Sequence, residues 1–167
     1  MGVRIDNQPS SVMTLVSQKA FASNAVTFSG LSGDYRYVLH LSMTVVDASS
    51  AAIEINADTT VTHYYGELLV ADAAVVFCLR VNNNLIAAMD PGTPAGDYYC
   101  VADITRGNGY AAYMANSGGP STSSIAFRNL VGFKTDATIT EITSIKILKS
   151  SGTSVTGTAT LYKLAAV

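Results

Sequence analysis

The stretch from Tyr35 to Val46 alternates apolar and polar residues, and this alternation constrains the fold more than any other feature of the chain. Because successive side chains of a β-strand point to opposite faces, the pattern predicts a strand with one face in a core and the other against a wetter environment. The odd positions are all apolar: Tyr35, Tyr37, Leu39, Leu41, Met43 and Val45. The even positions are Arg36, Val38, His40, Ser42, Thr44 and Val46, of which only the two valines break the alternation. This even face is expected to be covered by the N-terminal arm, by a sister subunit or by a larger assembly.

Similar short segments recur along the chain between turns that are rich in Gly, Asn, Asp, Ser and Pro. Eight to ten such strands predict an all-β protein whose antiparallel strands form a sandwich or barrel. The segment 85–89 fits either a short strand or one helical turn. Three loops are predicted, from Asn56 through His63 to Gly66, from Asp90 to Asp97, and from Asn116 to Ser121. The candidate segments for these eight to ten strands are 25–28, 35–46, 52–57, 67–70, 74–81, 98–105, 110–115, 123–129 (with Ile125 and Phe127 facing inward), 131–134, 142–149 and 155–164.

The first 22 residues differ from the rest because their apolar residues follow no regular period. We expect residues 1–22 to form an extended N-terminal arm, with one short strand at most, and residues 23–167 to form a single domain. A chain of 167 residues is long enough for one sizeable core. The arm either lies along its own sheet or reaches over a neighbouring subunit. Its apolar residues are Val3, Ile5, Val12, Leu15 and Val16.

The charge content is low, at 13% of residues, against roughly 25% in an average domain. The 17 Ser and 17 Thr residues must therefore supply much of the polar surface. Either the exposed faces are rich in Thr, or much of the surface lies against other subunits. The ten Lys and Arg residues are scattered and the net charge is −2, which argues against binding to nucleic acid. No apolar run reaches the length of a membrane span and no signal peptide is evident.

No arrangement of residues predicts catalysis, a metal or a cofactor. His40 and His63 are the only histidines, and neither belongs to a metal-binding or nucleophile motif. Asn56 and Asp58 are expected to cap a turn rather than to bind Ca²⁺. Cys78 and Cys100 are expected to be reduced, buried thiols.

Three segments, taken together and in this order, carry a resemblance. They are 26–35, then 53–58 leading to Tyr64-Tyr65, and finally 142–164. This set resembles the small jelly-roll structural proteins of tailed bacteriophages, which include capsid decoration (cement) proteins, head fibres and tail-fibre modules. The resemblance implies an antiparallel β-sandwich of the jelly-roll type.

The resemblance also implies a non-enzymatic virion component that is made in the host cytoplasm. The leading expectation is a capsid decoration protein that binds the major capsid protein, or another virion protein, and stabilises the assembled head. A homo-oligomer is expected, with a trimer suited to symmetric positions on a shell. The alternative is a tail-fibre or receptor-binding module that recognises a glycan on the host surface through tyrosine-rich loops. The residues expected to contact a partner are Val3, Ile5, Val12, Leu15, Val16, His63, Tyr64 and Tyr65.

Overall fold

Twelve β-strands and one 3₁₀ turn, Val61–His63, make up the part of the chain that the structure describes. The structure is a computed structural model, and it describes residues 12–21, 25–32, 35–45, 49–72, 75–82, 86–93, 95–120, 125–135, 139–151 and 155–165. The strands are β1 (Thr14–Ala20), β2 (Ala25–Ser29), β3 (Tyr35–Val45), β4 (Ser49–Ile55), β5 (Tyr64–Asp72), β6 (Val75–Asn82), β7 (Ile86–Thr93), β8 (Gly96–Gly107), β9 (Tyr110–Pro120), β10 (Ile125–Thr135), β11 (Ser144–Ser151) and β12 (Val155–Ala165).

The strands form two antiparallel sheets that pack into a sandwich, which confirms the predicted fold class. The larger sheet has eight strands in the order β1-β12-β3-β8-β9-β10-β5-β6, and the smaller has four in the order β2-β11-β4-β7. The jelly-roll type stays a prediction. Residues 14–20 of the predicted arm form β1, which pairs with β12 of its own sheet, while Val3 and Ile5 lie outside the described residues.

The alternation that defines β3 is confirmed in the structure. Tyr37, Leu39, Leu41 and Met43 are buried, whereas the even positions from Arg36 to Thr44 are exposed, apart from the half-buried Val38. Val46 lies outside the described residues. The strands of the arm and of the small sheet do not lie across this even face, because β1 continues the same sheet beside β12.

The core is formed by the inward positions of the two sheets. Isoleucines dominate the contribution of the smaller sheet, and the larger sheet adds aliphatic and aromatic side chains. Burial of each such aliphatic side chain is worth about 1.5–3 kcal/mol. The fully buried members include Leu39, Ile53, Ile55, Ala102, Ile104, Ile145, Ile147, Ala159 and Leu161.

Two of the predicted loops are wrong, because strands continue through them. The segment from Asp90 to Thr93 belongs to β7, where Pro91 is tolerated since β7 is an edge strand of the smaller sheet. The predicted break at residues 116–120 lies within β9. A Cβ atom at Gly119 would come within 2.0 Å of the Tyr98 ring, so this glycine provides space for a core aromatic rather than a turn.

Two further corrections concern strand boundaries and side-chain direction. β5 begins at Tyr64, so the predicted loop ends three residues earlier than expected. Residues 125–135 form a single strand, β10, rather than two. In β10 the buried positions are Leu130, Gly132 and Lys134, and the side chain of Phe127 is exposed instead of facing inward.

The two cysteines differ in their surroundings. Both are free thiols, but only Cys100 is buried, and this burial raises the pKa of its thiol to about 12. The prediction of a buried Cys78 is wrong, because Cys78 lies on the outward face of β6 with Val76 and Arg80, all three of which are exposed.

Two glycines, one on β5 and one on β10, leave room for the side chain of Tyr113, which belongs to the neighbouring strand β9. Gly66 and Gly132 lie opposite each other in the register. The Tyr113 hydroxyl reaches over them and donates a hydrogen bond of 2.8 Å to the carbonyl oxygen of Tyr65. A Cβ atom at Gly132 would lie 1.9 Å from that same carbonyl oxygen, so glycine is required here by close approach of the backbone.

We predict that Gly132→Ala destabilises the protein by at least about 2–3 kcal/mol, since the clash involves backbone that cannot move without breaking the sheet. Equilibrium urea unfolding measures this loss. Gly30→Ala is the matched control, because Gly30 has a φ of +68° but open space around its Cβ position. It should cost only about 1–2 kcal/mol from the left-handed backbone. Equal losses in the two variants would contradict the role given to Gly132.

Candidate interaction surface

The outward face of the large sheet exposes a set of large apolar side chains. They lie on five neighbouring strands, β8, β9, β10, β5 and β6, and each is between 40% and 69% exposed. We call this set the outer apolar face. Its members are Tyr65, Leu69, Val76, Tyr99, Val101, Tyr110, Met114, Phe127, Val131 and Phe133.

The strand register brings much of this set together. Val131 lies opposite Met114 on one side, and Phe133 lies opposite Tyr65 on the other. The rings of Tyr110 and Phe133 meet edge to face with their centroids 6.0 Å apart. Contiguous exposed apolar surface of this kind is uncommon in monomeric proteins and marks sites of interaction.

Charged residues on this surface are few, and four of them lie in two pairs of opposite charge. The single Nε–H of Arg36 on β3 is shared between the two carboxylate oxygens of Asp103 on β8, with Nε to oxygen distances of 2.7 and 2.9 Å. Glu67 of β5 and Arg80 of β6 lie opposite each other in the register, and both side chains are exposed. The face is therefore mostly apolar, with one charged pair whose Glu67 lies between Tyr65 and Leu69 of β5.

A groove of about 600 Å³ runs along the outer apolar face where β10, β5 and β6 meet. Tyr65, Val131 and Phe133 supply its apolar lining, and Glu67 and Arg80 supply its charges. The backbone of the paired glycines described above forms part of its floor. A groove with aromatic walls and a few polar groups has the composition of a ligand site.

Three consecutive residues were predicted to contact a partner: His63, Tyr64 and Tyr65. The structure places their side chains in three different environments. Tyr65 lines the groove and is exposed. Tyr64, its neighbour, points into the core and is fully buried. Its hydroxyl donates to the carbonyl oxygen of Asp58 at 3.0 Å and accepts from the backbone N–H of Ile55, also at 3.0 Å. Tyr64 therefore fixes the connection between β4 and β5 and cannot present its ring to a partner.

His63 belongs to a cluster of polar side chains beneath this connection. Its Nδ1 lies 2.7 Å from Asp58 Oδ2, and the Nζ of Lys134, which is fully buried, lies 2.8 Å from the same oxygen. The backbone N–H of Thr60 donates to Asp58 Oδ1 at 2.9 Å. Partial burial favours the neutral form of Asp58, but the hydrogen bonds from Lys134, His63 and Thr60 outweigh it and hold the pKa of Asp58 well below its usual value.

This cluster has the properties of a structural brace. Lys134 comes from β10, whereas Asp58 follows β4, so the ion pair ties a strand of the large sheet to the turn that leaves the small sheet. The turn itself uses Asn56 and Ala57, both with positive φ. Asn56 accepts a hydrogen bond of 2.8 Å from the backbone N–H of Thr143, which confirms a structural role in the turn.

The arm residues that the structure describes lie far across the sheet from the groove. Val12, Leu15 and Val16 are exposed at β1, and six strands separate β1 from β6 in the order of the large sheet. They therefore form a second exposed apolar region at the opposite edge.

Met114, Val131 and Phe133 are interaction candidates that the sequence patterns did not identify. The apolar residues of 110–115 and 131–134 occupy both faces of their strands. The sequence signal for an interaction surface is this excess of apolar residues, because a strand with one face exposed to water needs apolar residues at alternate positions only.

Metal sites and membrane-spanning helices have no candidate in the described part of the chain. No group of three or more His, Cys, Asp or Glu side chains there is arranged to hold a metal ion. Among the described residues, no helix has the length and apolar content required to cross a membrane.

We predict that Asp58→Asn lowers the free energy of unfolding at pH 7 by about 3–5 kcal/mol, because it removes the Asp58 carboxylate that lies 2.8 Å from the buried Lys134 ammonium. Since the folded-state pKa of Asp58 is depressed, its stabilising effect is present above about pH 4 and is lost as the pH falls below that value. The difference between wild type and variant should therefore shrink by up to about 1.4 kcal/mol per pH unit below pH 4. Urea unfolding at a series of pH values measures it.

The double variant Asp58→Asn with Lys134→Met is the control for this prediction. It replaces the buried ammonium by an apolar chain of similar length, and it should recover most of the lost stability. A loss that does not depend on pH, or a double variant less stable than Asp58→Asn alone, would contradict the role of the ion pair.

Comparison of the chain with models of protein families, with curated proteins and with solved structures found no match. Inference about function therefore depends on the surface of the fold and on the resemblance of its segments.

Proposed function

We propose that this protein is a non-enzymatic structural protein of a bacteriophage virion, and that it decorates the assembled head by docking on it through the outer apolar face. The observation that carries the proposal is the exposure of ten large apolar side chains on one side of the eight-stranded sheet. The virion setting is supported by the resemblance of the three segments to phage structural proteins.

The size of the outer apolar face suits a stable complex. Its side chains are 40% to 69% exposed, and a large apolar side chain has about 150–250 Å² to bury, so ten of them present on the order of 800 Å². A standard interface buries about 800 Å² on each partner. The low charge of this surface lowers the desolvation cost of docking.

The strand order supports the jelly-roll type that the resemblance implies. β1, β3, β8 and β12 are neighbours in one sheet, and β2, β4, β7 and β11 are neighbours in the other. The chain therefore crosses between sheets repeatedly, as in a double Greek key. Two hairpin insertions, β5–β6 and β9–β10, widen the first sheet, and these insertions carry most of the outer apolar face.

The proposed docking depends on Val131 near the centre of the face. We predict that Val131→Lys lowers the affinity for heads by at least about tenfold, because a charge would be buried in an apolar contact. The folded protein should tolerate this lysine, since Val131 is exposed and lies opposite Glu67. Co-sedimentation with heads assembled from the major capsid protein of the same genome measures the binding.

Thr27→Lys is the matched control, because Thr27 is an exposed strand position on the other sheet. It adds the same charge to a surface outside the outer apolar face and should bind like wild type. Both variants should unfold within about 0.5 kcal/mol of wild type. Equal binding by Val131→Lys and wild type would rule out docking through this face.

The groove favours a second function, recognition of a host-surface glycan by a tail-fibre or receptor-binding module. Tyr65 and Phe133 could stack on the apolar face of a sugar ring, while Glu67, Arg80 and Thr135 lie within the same groove and could bond its hydroxyls. This function needs no contact with a shell, so it can be tested on the isolated protein.

We predict, for this second function, that wild type binds selected glycans on an array and that Tyr65→Ala reduces the signal at least about tenfold. Tyr99→Ala is the control, because Tyr99 is an exposed tyrosine on the same face but outside the groove. Absence of glycan binding by wild type, or equal losses in both variants, would argue against a sugar site in the groove.

A further inference from the structure

The edge strands of the two sheets differ in how they are protected from pairing with other chains. The edges are β1 and β6 in the large sheet and β2 and β7 in the small one. An edge strand presents unpaired backbone N–H and C=O groups, and proteins usually blunt it with short length, bulges, proline or lysine.

Three of these edges carry such devices. β1 has a register shift between Leu15 and Ser17 and an exposed Lys19. β2 is only five residues long. β7 contains Pro91, and its register with β4 shifts twice.

β6 carries none of these protective features, and its only charged residue is Arg80. Its eight residues, Val-Val-Phe-Cys-Leu-Arg-Val-Asn, include no proline, glycine or lysine, and they pair with β5 at eight consecutive positions without a shift. Val76 is 69% exposed. In sequence β6 has the composition of a central strand, although it is the last strand of its sheet.

We propose that two copies of this protein pair through β6, so that their large sheets join in one continuous antiparallel sheet across a two-fold axis. The occupant of the edge is a second copy, because a two-fold axis brings β6 against itself and no other edge among the described strands is equally open. The outer apolar faces of both copies then lie on the same side of the joined sheet. This dimer does not rest on docking to a head, since it forms through the backbone edge of β6, although Val76 also belongs to the outer apolar face.

The side-chain alternation limits the register of this pairing. A two-fold axis normal to the sheet pairs outward-facing residues of one copy with outward-facing residues of the other. The axis must therefore lie midway between the two copies of one and the same β6 residue. An axis at Arg80 would oppose two arginines and is disfavoured. Axes at Cys78 and at Leu79 each pair seven residues of each strand. The axis at Cys78 is favoured, because it alone of the two places the exposed Val76 opposite the partner's Arg80, whose aliphatic stem can cover it. The two Cys78 residues then lie directly opposite each other.

Replacing Val76 by an acidic or by a basic residue tests both the identity of the partner and the register of the pairing. Val76→Glu should tighten the dimer about two- to thirtyfold, because two opposite-charge cross-strand pairs form with Arg80. Val76→Lys should weaken it by a similar factor. The two variants are matched, since each replaces the same exposed side chain. Sedimentation equilibrium over a range of concentrations should give twice the 17.5 kDa of one chain for wild type.

Cross-linking provides a second measurement on the same protein. Diamide should take two electrons and two protons from the facing Cys78 thiols and leave a disulfide-linked dimer, since opposed strand residues lie within disulfide range. Cys78→Ser should not cross-link, because the buried Cys100 is inaccessible. A wild type that is monomeric at 100 µM would overturn the proposal. So would an oligomer whose affinity is unchanged by both Val76 variants and that forms no Cys78 disulfide.

Discussion

The two sheets hold together because their inward positions are apolar and leave water together when the sheets meet. Leu39 and Leu161 of the large sheet, and Ile53 and Ile147 of the small one, are fully buried in this contact. The hydrophobic gain from such residues offsets the conformational entropy that twelve ordered strands lose. This constraint acts on inward positions only. Apolar residues at outward positions of β8, β9, β10 and β5 are not needed by the sandwich, so their presence calls for a different explanation, and contact with a partner supplies one.

The few charges of the chain are used partly in its interior. Glu54 is 1% exposed, and its carboxylate lies 3.1 Å from Lys146 Nζ on the adjacent strand. Lys134 is fully buried beside Asp58. Such pairs add little net stability compared with apolar side chains of the same size, but they tolerate few alternative arrangements because an unpaired buried charge is costly. The first pair joins two strands of the small sheet, and the second joins β10 to the turn where the chain leaves the small sheet for the β5–β6 hairpin.

Much of the fold was predictable from alternation, and the failures have identifiable physical causes. The period of Tyr35–Val45 depends on local geometry alone, so it predicted both the strand and its buried face. The glycines of β9 suggested a turn because their reason, the space needed by the Tyr98 ring, is a contact between strands. Phe127 and Cys78 were assigned to the core because an apolar residue was assumed to face inward, whereas outward positions of this sheet are apolar too.

The candidate surface was predictable only in part. Tyr65 was expected to contact a partner and does lie in the groove, whereas Tyr64 next to it is buried, because neighbouring residues of a strand face opposite ways. The one-residue difference depends on where β5 begins, and a loop had been predicted there. Val131 and Phe133 join Tyr65 only through the pairing of β10 with β5, which connects residues far apart in sequence. The buried state of Lys134 is equally invisible, since it depends on the Asp58 turn reaching over the sheet.

The position of β12 has a consequence for synthesis of the chain on the ribosome. β12 lies between β1 and β3, so these two early strands have no common neighbour until residues 155–165 have been made. At translation rates of about 5–20 residues per second, β3 waits roughly 5–20 seconds for its partner. During that interval the long apolar strand has one edge open to other nascent chains. The large sheet is thus completed only after β12 has been made, and holdase chaperones that cover the β3 edge should influence the yield of folded protein.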